Sequence, residues 1–274
     1  MAVWQSFWKG RTYNLGKMGL GELVRAYFTY PTVLVYLALT AVGAALAALL
    51  AQSAWPLVAT PVLIAALYPF IEYMLHRFVL HGRYLYRSSL TSATWKRIHF
   101  DHHQDPHDLR VLFGALYTTL PTIAVIALPL GWIVAGLAGA CAAFASGTAI
   151  ICIYEFCHCV QHLNHTPKSR YLQRIKRLHL AHHFHNETGN FGITSHLWDR
   201  VLGTLYETVR AVPHSKTVFN LGYTAAEAER YPWVADLSGG TRGDGNPRRF
   251  RRPGASDDRG ATGLGAAPAG RSRS

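Results

Sequence analysis

The chain has 274 residues, enough for one medium domain or a small bundle and too few for a large multidomain machine. Half of the residues are hydrophobic and only 15% are charged, against the roughly 25% usual for soluble domains. The 27 Lys and Arg against 15 Asp and Glu leave a net charge of +12, but the basic residues stand apart from the long apolar runs, so no nucleic-acid partner is expected.

Near the start, Trp4, Phe7, Trp8 and Arg11 have helical spacing, and residues 1–30 are expected to form an interfacial segment. A continuous apolar core before a small-residue cleavage site is lacking, so no signal peptide is expected. From Ala26 to Leu75 the only charged side chain is Glu72, and from Val111 to Tyr154 there is none. Because about 20 helical residues cross a hydrocarbon core, the first block predicts spans over Pro31–Gln52 and Pro56–Leu75. The second, Leu112–Tyr154, predicts two more, divided near Pro129-Leu130-Gly131-Trp132. The predicted fold is all-α and integral to the membrane, with four transmembrane helices in two hairpins.

The flanks orient it. Lys9, Arg11, Lys17 and Arg25 precede the first span; Arg77, Arg83, Arg87, Lys96 and Arg97 separate the hairpins; Lys168, Arg170, Arg174, Lys176 and Arg177 follow the last span. Every cluster lies on one side, which the positive-inside rule makes cytoplasmic, together with both termini. The membrane domain is expected over residues 31–235. From Asp236 to Ser274, Gly, Arg, Ser, Asp and Ala dominate, the composition of a disordered tail. Cys141, Cys152, Cys157 and Cys159 fall in or at the end of the last span and are read as small hydrophobes.

Fifteen histidines carry the chemistry, and none precedes His76. Four spaced groups stand out: His76 and His81; His99, His102 and His103; His158 and His162; His179, His182 and His183. Positions i, i+3 and i+4 share one helix face, so each His-x-x-His-His triplet aims its imidazoles one way. His76 and His81 diverge by about 140° on an ideal helix, which predicts a helix break near His81. Thr91 or Ser92 is the expected cap of the first triplet's helix, with Pro106 its stop, and Thr166-Pro167 the expected start of the second. Neutral imidazole is a ligand for zinc, copper and iron. Ten are too many for one ion and suit two metals in a shared cage, forming a His-rich helical cap on the cytoplasmic side. Two redox metals beside a lipid-facing groove point to oxygen activation on an apolar substrate. The competing class, a metal transporter or sensor, calls for polar groups within the spans, and the apolar helices offer few.

These motifs resemble the fatty acid hydroxylase/sterol desaturase superfamily of integral-membrane di-iron oxygenases. The resemblance runs from about Glu72 to Tyr206. It includes His102-His103-Gln104-Asp105-Pro106-His107-Asp108 and the stretch from Asn190 to Thr204 with its Trp198-Asp199-Arg200-Val201-Leu202-Gly203-Thr204 ending. It implies that His76, His81, His99, His102, His103, His158, His162, His179, His182 and His183 ligate two metals. It further implies two irons, with zinc a competitor on purification, and O2 as co-substrate. Asp108, Glu155 and Asp199 are candidates to hold ligand imidazoles by their other nitrogen; for Glu72 that role stands beside simple helix-end polarity. His107, His165, His185, His196 and His214 lie outside the spaced groups.

The implied activity is hydroxylation of a C–H bond in a lipid drawn from the bilayer. The four-residue gap between His76 and His81 resembles the fatty acid 2-hydroxylases and favours an acyl chain; a carotenoid-ring hydroxylase and a sterol or lipid desaturase are the alternatives within the superfamily. These residues carry no haem-binding or flavin/nicotinamide fingerprint, so electrons are expected from a separate ferredoxin or cytochrome with its reductase. Tyr68, Phe70, Tyr73, Phe113 and Tyr117 lie within a few turns of the histidines, with Phe144 further up the fourth span, and some of them are expected to line an apolar slot open toward lipid.

Overall fold

The computed structural model describes residues 13–241. Residues 1–12, with the proposed Trp4–Arg11 helix, and most of the proposed tail lie outside the described residues. Among the described residues the elements are all helical, with an isolated bridge between Asn14 and Asp108 and no named strand.

A short helix, α1 (Leu20–Tyr27), leads into α2 (Pro31–Leu50) and α3 (Trp55–Met74). Proline opens both long helices, where its fixed φ suits the first turn and its missing N–H costs nothing. Their bounds follow the predicted spans to within two residues. Helix α2 is apolar all round, so hydrophobicity does not choose its buried face; size and polarity do. Val33, Tyr36, Gly43 and Ala47 are buried, at the three- and four-residue spacing of one stripe. A Cβ on Gly43 would stand 3.1 Å from the Cβ of Ala145, the close approach that small residues allow between membrane helices. The Thr40 and Thr148 hydroxyls meet across the same seam at 2.9 Å.

The seam's partner is the run α6 (Leu116–His162), broken at Ala135 (φ −156°, ψ 36°) and Gly136 (φ 58°, ψ −144°). There the chain folds back. A Cβ on Gly131 would lie 2.2 Å from the Gly139 carbonyl oxygen, and one on Gly147 2.8 Å from Cγ2 of Ile123, contacts that only antiparallel arms can make. The reversal comes later than the Pro129–Trp132 turn expected from sequence. Pro129 is held inside the first arm, whereas Gly136 adopts the left-handed φ that L side chains resist.

Three helical stretches are long and apolar enough to cross a membrane: Pro31–Leu50, Trp55–Arg87 and Leu109–His162. Their outward faces carry side chains such as Leu49, Val125 and Ile133, which are 81%, 74% and 80% exposed.

At the histidine end the helices are shorter. The segments Ser92–Trp95, Lys96–Phe100 and Asp101–Gln104 run into one another as α4, with a short α5 (Leu109–Leu112) after it. Beyond α6 come α7 (Arg170–Phe184), α8 (Leu197–Val201), α9 (Ala225–Arg230) and α10 (Trp233–Leu237). Two cores anchor this end. Leu15, Leu23 and Tyr27 pack with Val33, Leu109, Phe113 and Cys159, so the described part of the N-terminal segment belongs to the same core as the helices. Tyr86, Trp95 and Phe100 pack with Tyr223, Val234 and Ala235, clamping the last helices on α4. Ordered structure passes the expected boundary at Asp236, since α10 runs to Leu237 and Ser238 is buried. Helix α7 begins at Ser169, whose hydroxyl accepts from Leu172 N–H, not at Thr166-Pro167. Thr91 occupies the cap position of α4, but its hydroxyl donates to the Leu85 carbonyl instead of capping.

Candidate metal centre

The elements above bring the ten spaced histidines into two groups of five. His76, His81, His99, His103 and His182 form one; His102, His158, His162, His179 and His183 form the other. Within each group the candidate ligand atoms all lie within 4.8 Å of one another. Helices α4 and α7 each serve both. In α4, His99 and His103 go to the first group and His102 to the second; in α7, His182 goes to the first and His179 and His183 to the second. The His103 and His183 rings stack across the divide at 4.1 Å.

Two local distortions aim the side chains. His76 lies in a wide turn over Leu75–Leu80, closed by a bond from His81 N–H to the His76 carbonyl at 3.1 Å. An i→i+5 turn of this kind sets residues five apart nearly above one another. His76 and His81, which an ideal helix would separate, therefore bring their Nε2 atoms to 3.2 Å. The helix then stops at His81, as expected. A second wide turn over Lys96–Phe100 carries His99, and the Trp95 indole N–H donates to the Leu80 carbonyl at 3.0 Å, tying the two turns together.

The spacing of the nitrogens fits metal ions. In the first group Nε2 of His76, His81 and His99 stand 3.1, 3.2 and 2.9 Å apart pairwise, with His182 Nε2 3.1 Å from that of His81. In the second, His158 and His162 lie 3.0 and 2.9 Å from His179, and His102 3.1 Å from His158. One ring proton satisfies one such pair, whereas a shared cation would satisfy three mutually close nitrogens at once. An octahedron with metal–nitrogen bonds of about 2.1 Å has edges of about 3 Å.

The opposite ring nitrogens settle the tautomer where their partner is a carbonyl, which can only accept. His76 Nδ1–H donates to the Phe191 carbonyl, His182 Nδ1–H to Gly189 at 2.7 Å, and His103 Nδ1–H to Val218 at 3.0 Å. That leaves each Nε2 as a bare lone pair. His103 Nε2 and both nitrogens of His183 are buried without a protein partner. Burial first, then neighbouring imidazoles, holds His99, His102, His179 and His183 well below the usual imidazole range; burial and His182 do the same for His103. Burial lowers His182 to about 4. Neutral imidazoles are the ligand form.

The four carboxylates singled out from sequence have other partners. Asp199 accepts from Phe191 N–H and Gly192 N–H, both at 2.8 Å, and from the Thr204 hydroxyl at 2.7 Å. Glu72 accepts from Ile193 N–H, Thr194 N–H and the Thr194 hydroxyl. Both hold the 189–194 loop whose carbonyls receive His76 and His182, so they act on the imidazoles through backbone. Asp108 caps α5 and pairs with Arg110, and Glu155 accepts from Gly114 N–H at 2.9 Å. Carbonyl partners escaped the sequence reading because every residue has a carbonyl. Asn190 and Gln161 also escaped it: Asn190 sits at φ 55° and bonds Tyr206 N–H and the Tyr206 carbonyl, while Gln161 donates to the Ile193 carbonyl. Of the remaining histidines, His107 donates to the His162 carbonyl and His185 to Val212, His214 stands beside His185, His165 is half-buried, and His196 is buried, with burial lowering it to about 3.

A cavity of about 500 Å³ reaches this centre. His76, His99, His102 and His158 face it, and its walls are largely aliphatic, from α3 and both arms of α6. Tyr68 and Tyr117 line it, as does Tyr154. Phe70, Tyr73 and Phe113 instead pack on Trp198, Phe191 and Tyr30, and Phe144 is half-buried outside the lining.

Known proteins are similar to this chain. The ceramide very long chain fatty acid hydroxylase of Saccharomyces cerevisiae is 35% identical over 141 residues, covering 49% of this chain and 34% of that protein. A dihydroceramide fatty acyl 2-hydroxylase of Arabidopsis thaliana is 34% identical over 152 residues, 52% and 58% of the two chains. The fatty acid 2-hydroxylase of Homo sapiens is 32% identical, over 55% of this chain and 40% of that one. The chain thus spans from a third to under two thirds of the length of these relatives. A solved structure described as full-length scs7p, with only the hydroxylase domain visible, superposes with a TM-score of 0.57 at 28% identity over 68% of each chain. The family model described as fatty acid hydroxylase matches residues 61–204, the segment that supplies all ten clustered histidines, and the chain belongs to that family.

Proposed function

We propose that the protein is an integral-membrane, O2-dependent hydroxylase that oxidises a fatty acyl chain at the carbon next to its carbonyl. The observation that carries the reading is a pair of five-histidine cages opening on one aliphatic cavity. The relatives named as ceramide, dihydroceramide and fatty acid 2-hydroxylases favour an acyl substrate over a carotenoid or sterol. His76, His81, His99, His103 and His182 hold one iron and His102, His158, His162, His179 and His183 the other. The irons supply activation of dioxygen for attack on an unreactive C–H bond. The chain supplies the rest: carbonyls of Gly189, Phe191 and Val218 keep three imidazoles in the ligand tautomer, Asp199 and Glu72 fix the loop bearing two of those carbonyls, and the aliphatic walls hold the chain and exclude water. Electrons come from a ferredoxin or a cytochrome with its reductase.

The protein crosses the membrane four times, by α2, α3 and the two arms of α6, with the cages and both termini cytoplasmic. The fold-back at Ala135-Gly136 and the basic flanks support this topology.

Expression in a host that lacks such lipids tests the activity. The wild type is expected to yield 2-hydroxy acyl lipids and to purify with about two metal ions per chain, whereas His182→Ala yields none and loses metal and His214→Ala keeps both. Iron is the expected metal, and zinc in a purified sample reflects competition for the same sites. A ring-hydroxylated carotenoid with no acyl product overturns the substrate and leaves the oxygenase standing.

A further inference from the structure

The cavity extends well beyond the histidine cages, and its far end is lined by closely packed side chains. Ile64 lies twelve residues before His76, and Gly147 eleven before His158. At 1.5 Å per residue the end wall therefore stands roughly 16–18 Å from the cages. Ile64, Ile123, Ala127 and Gly147 line this end. Ile64 and Ala127 are only 4% and 3% exposed and pack with Ala143 behind them, while Ile123, Leu130 and Ile150 pack against the same cluster. The wall is also stiff. Ile123 sits so close to the opposite arm that a Cβ on Gly147 would fall 2.8 Å from its Cγ2, so Ile123 has no room to swing that way. Immediately beyond, the two arms touch backbone to backbone at Gly131 and Gly139.

An acyl chain whose reacting carbon lies near the carbonyl, with the head beside the cages, sends its whole remaining length toward this wall. We propose that Ile123 and Ala127, facing Ile64, form an end stop that sets the longest acyl chain the enzyme hydroxylates. The inference rests on the acyl 2-hydroxylase reading above. Its physical basis is overpacking: a terminal methyl group that meets a close-packed wall must displace it or withdraw the reacting carbon from the centre. One methylene too many in an apolar pocket changes selectivity by roughly 10–200-fold.

The test expresses the full chain in a host with a broad range of acyl lengths and measures the chain-length distribution of the 2-hydroxy fatty acids released from its lipids. Ile123→Ala, which only removes atoms, is expected to raise the upper length limit. Ala127→Leu is expected to lower it, changing the ratio of long to short products by at least about tenfold. The double variant is expected to return toward the wild-type distribution, which a merely structural role would not produce. If Ala127→Leu does not accumulate in the membrane, Ile123→Ala alone decides. An unchanged distribution in Ile123→Ala, or an equal loss at every length, overturns the end stop while the wild-type product upholds the activity. Absence of any 2-hydroxy acyl product from the wild type overturns the activity and the end stop with it.

Discussion

Asp199 and Asp108 are two aspartates in matching motif positions with different structural work. Asp199 is fully buried and accepts three hydrogen bonds from the 191–204 segment. Replacing it with Ala leaves two backbone donors and a hydroxyl unmet, at about 1–3 kcal/mol each, and frees the loop whose Phe191 carbonyl holds His76. Asp199→Ala is expected to lower both the melting temperature and the retained metal; partners that orient ligand imidazoles are typically worth about 10–100-fold in metal affinity. Asp108→Ala removes a helix cap worth about 1 kcal/mol and is expected to keep its metal. Thermal melts with metal analysis on the two purified variants make the comparison, and equal metal loss in both would refute the loop's role.

At the scale of elements, α4 and α7 gather six imidazoles that lie outside the membrane spans and have lowered basicity: His99, His103 and His182 in one cage, His102, His179 and His183 in the other. In the unfolded chain such groups take up protons below about pH 6.5. In the folded chain burial keeps them neutral, down to about 4 for His182. The unfolded state thus binds more protons, so this stability is present above about pH 6.5 and is lost as pH falls. The metal-free protein in detergent is expected to melt at a lower temperature at pH 5 than at pH 7.5, and bound metal to be released over the same interval, because protonated imidazole is no ligand. A melting temperature independent of pH across that range would refute the neutral cages. The chain departs from ideal helix at the end of α3 and within α4: the wide turns at Leu75–Leu80 and Lys96–Phe100 bring His76, His81 and His99 together.

For the whole molecule, the arrangement of α2, α3 and the folded α6 makes a topological prediction. Reporter fusions at Ser53 and Gly136 are expected to read outside, and fusions at Thr91 and Ser169 inside. A Thr91 fusion reading outside would overturn the orientation of the cages. Gly136 marks the second outer turn because the chain reverses there, beyond the Pro129–Trp132 stretch expected from sequence.

Much of this molecule was legible in its residues. Charge-free runs mark the spans, since a lipid environment excludes charge over a fixed length, and His-x-x-His-His spacing marks a ligand face, since helical periodicity is local. The division of ten histidines into two cages was not legible. Neighbouring His102 and His103 point about 100° apart and join different groups, a choice made only when α3, α6 and α7 close around α4. The carboxylates expected to touch imidazoles were likewise placed by tertiary structure, which interposes the carbonyls of Gly189 and Phe191. The late reversal at Ala135-Gly136 has the same origin: proline and glycine both punctuate the run, and only the packing of Gly131 against Gly139 decides which of them turns the chain. Sequence determined the solvent each segment prefers and the ligand chemistry it carries; contacts between distant segments determined which atoms meet.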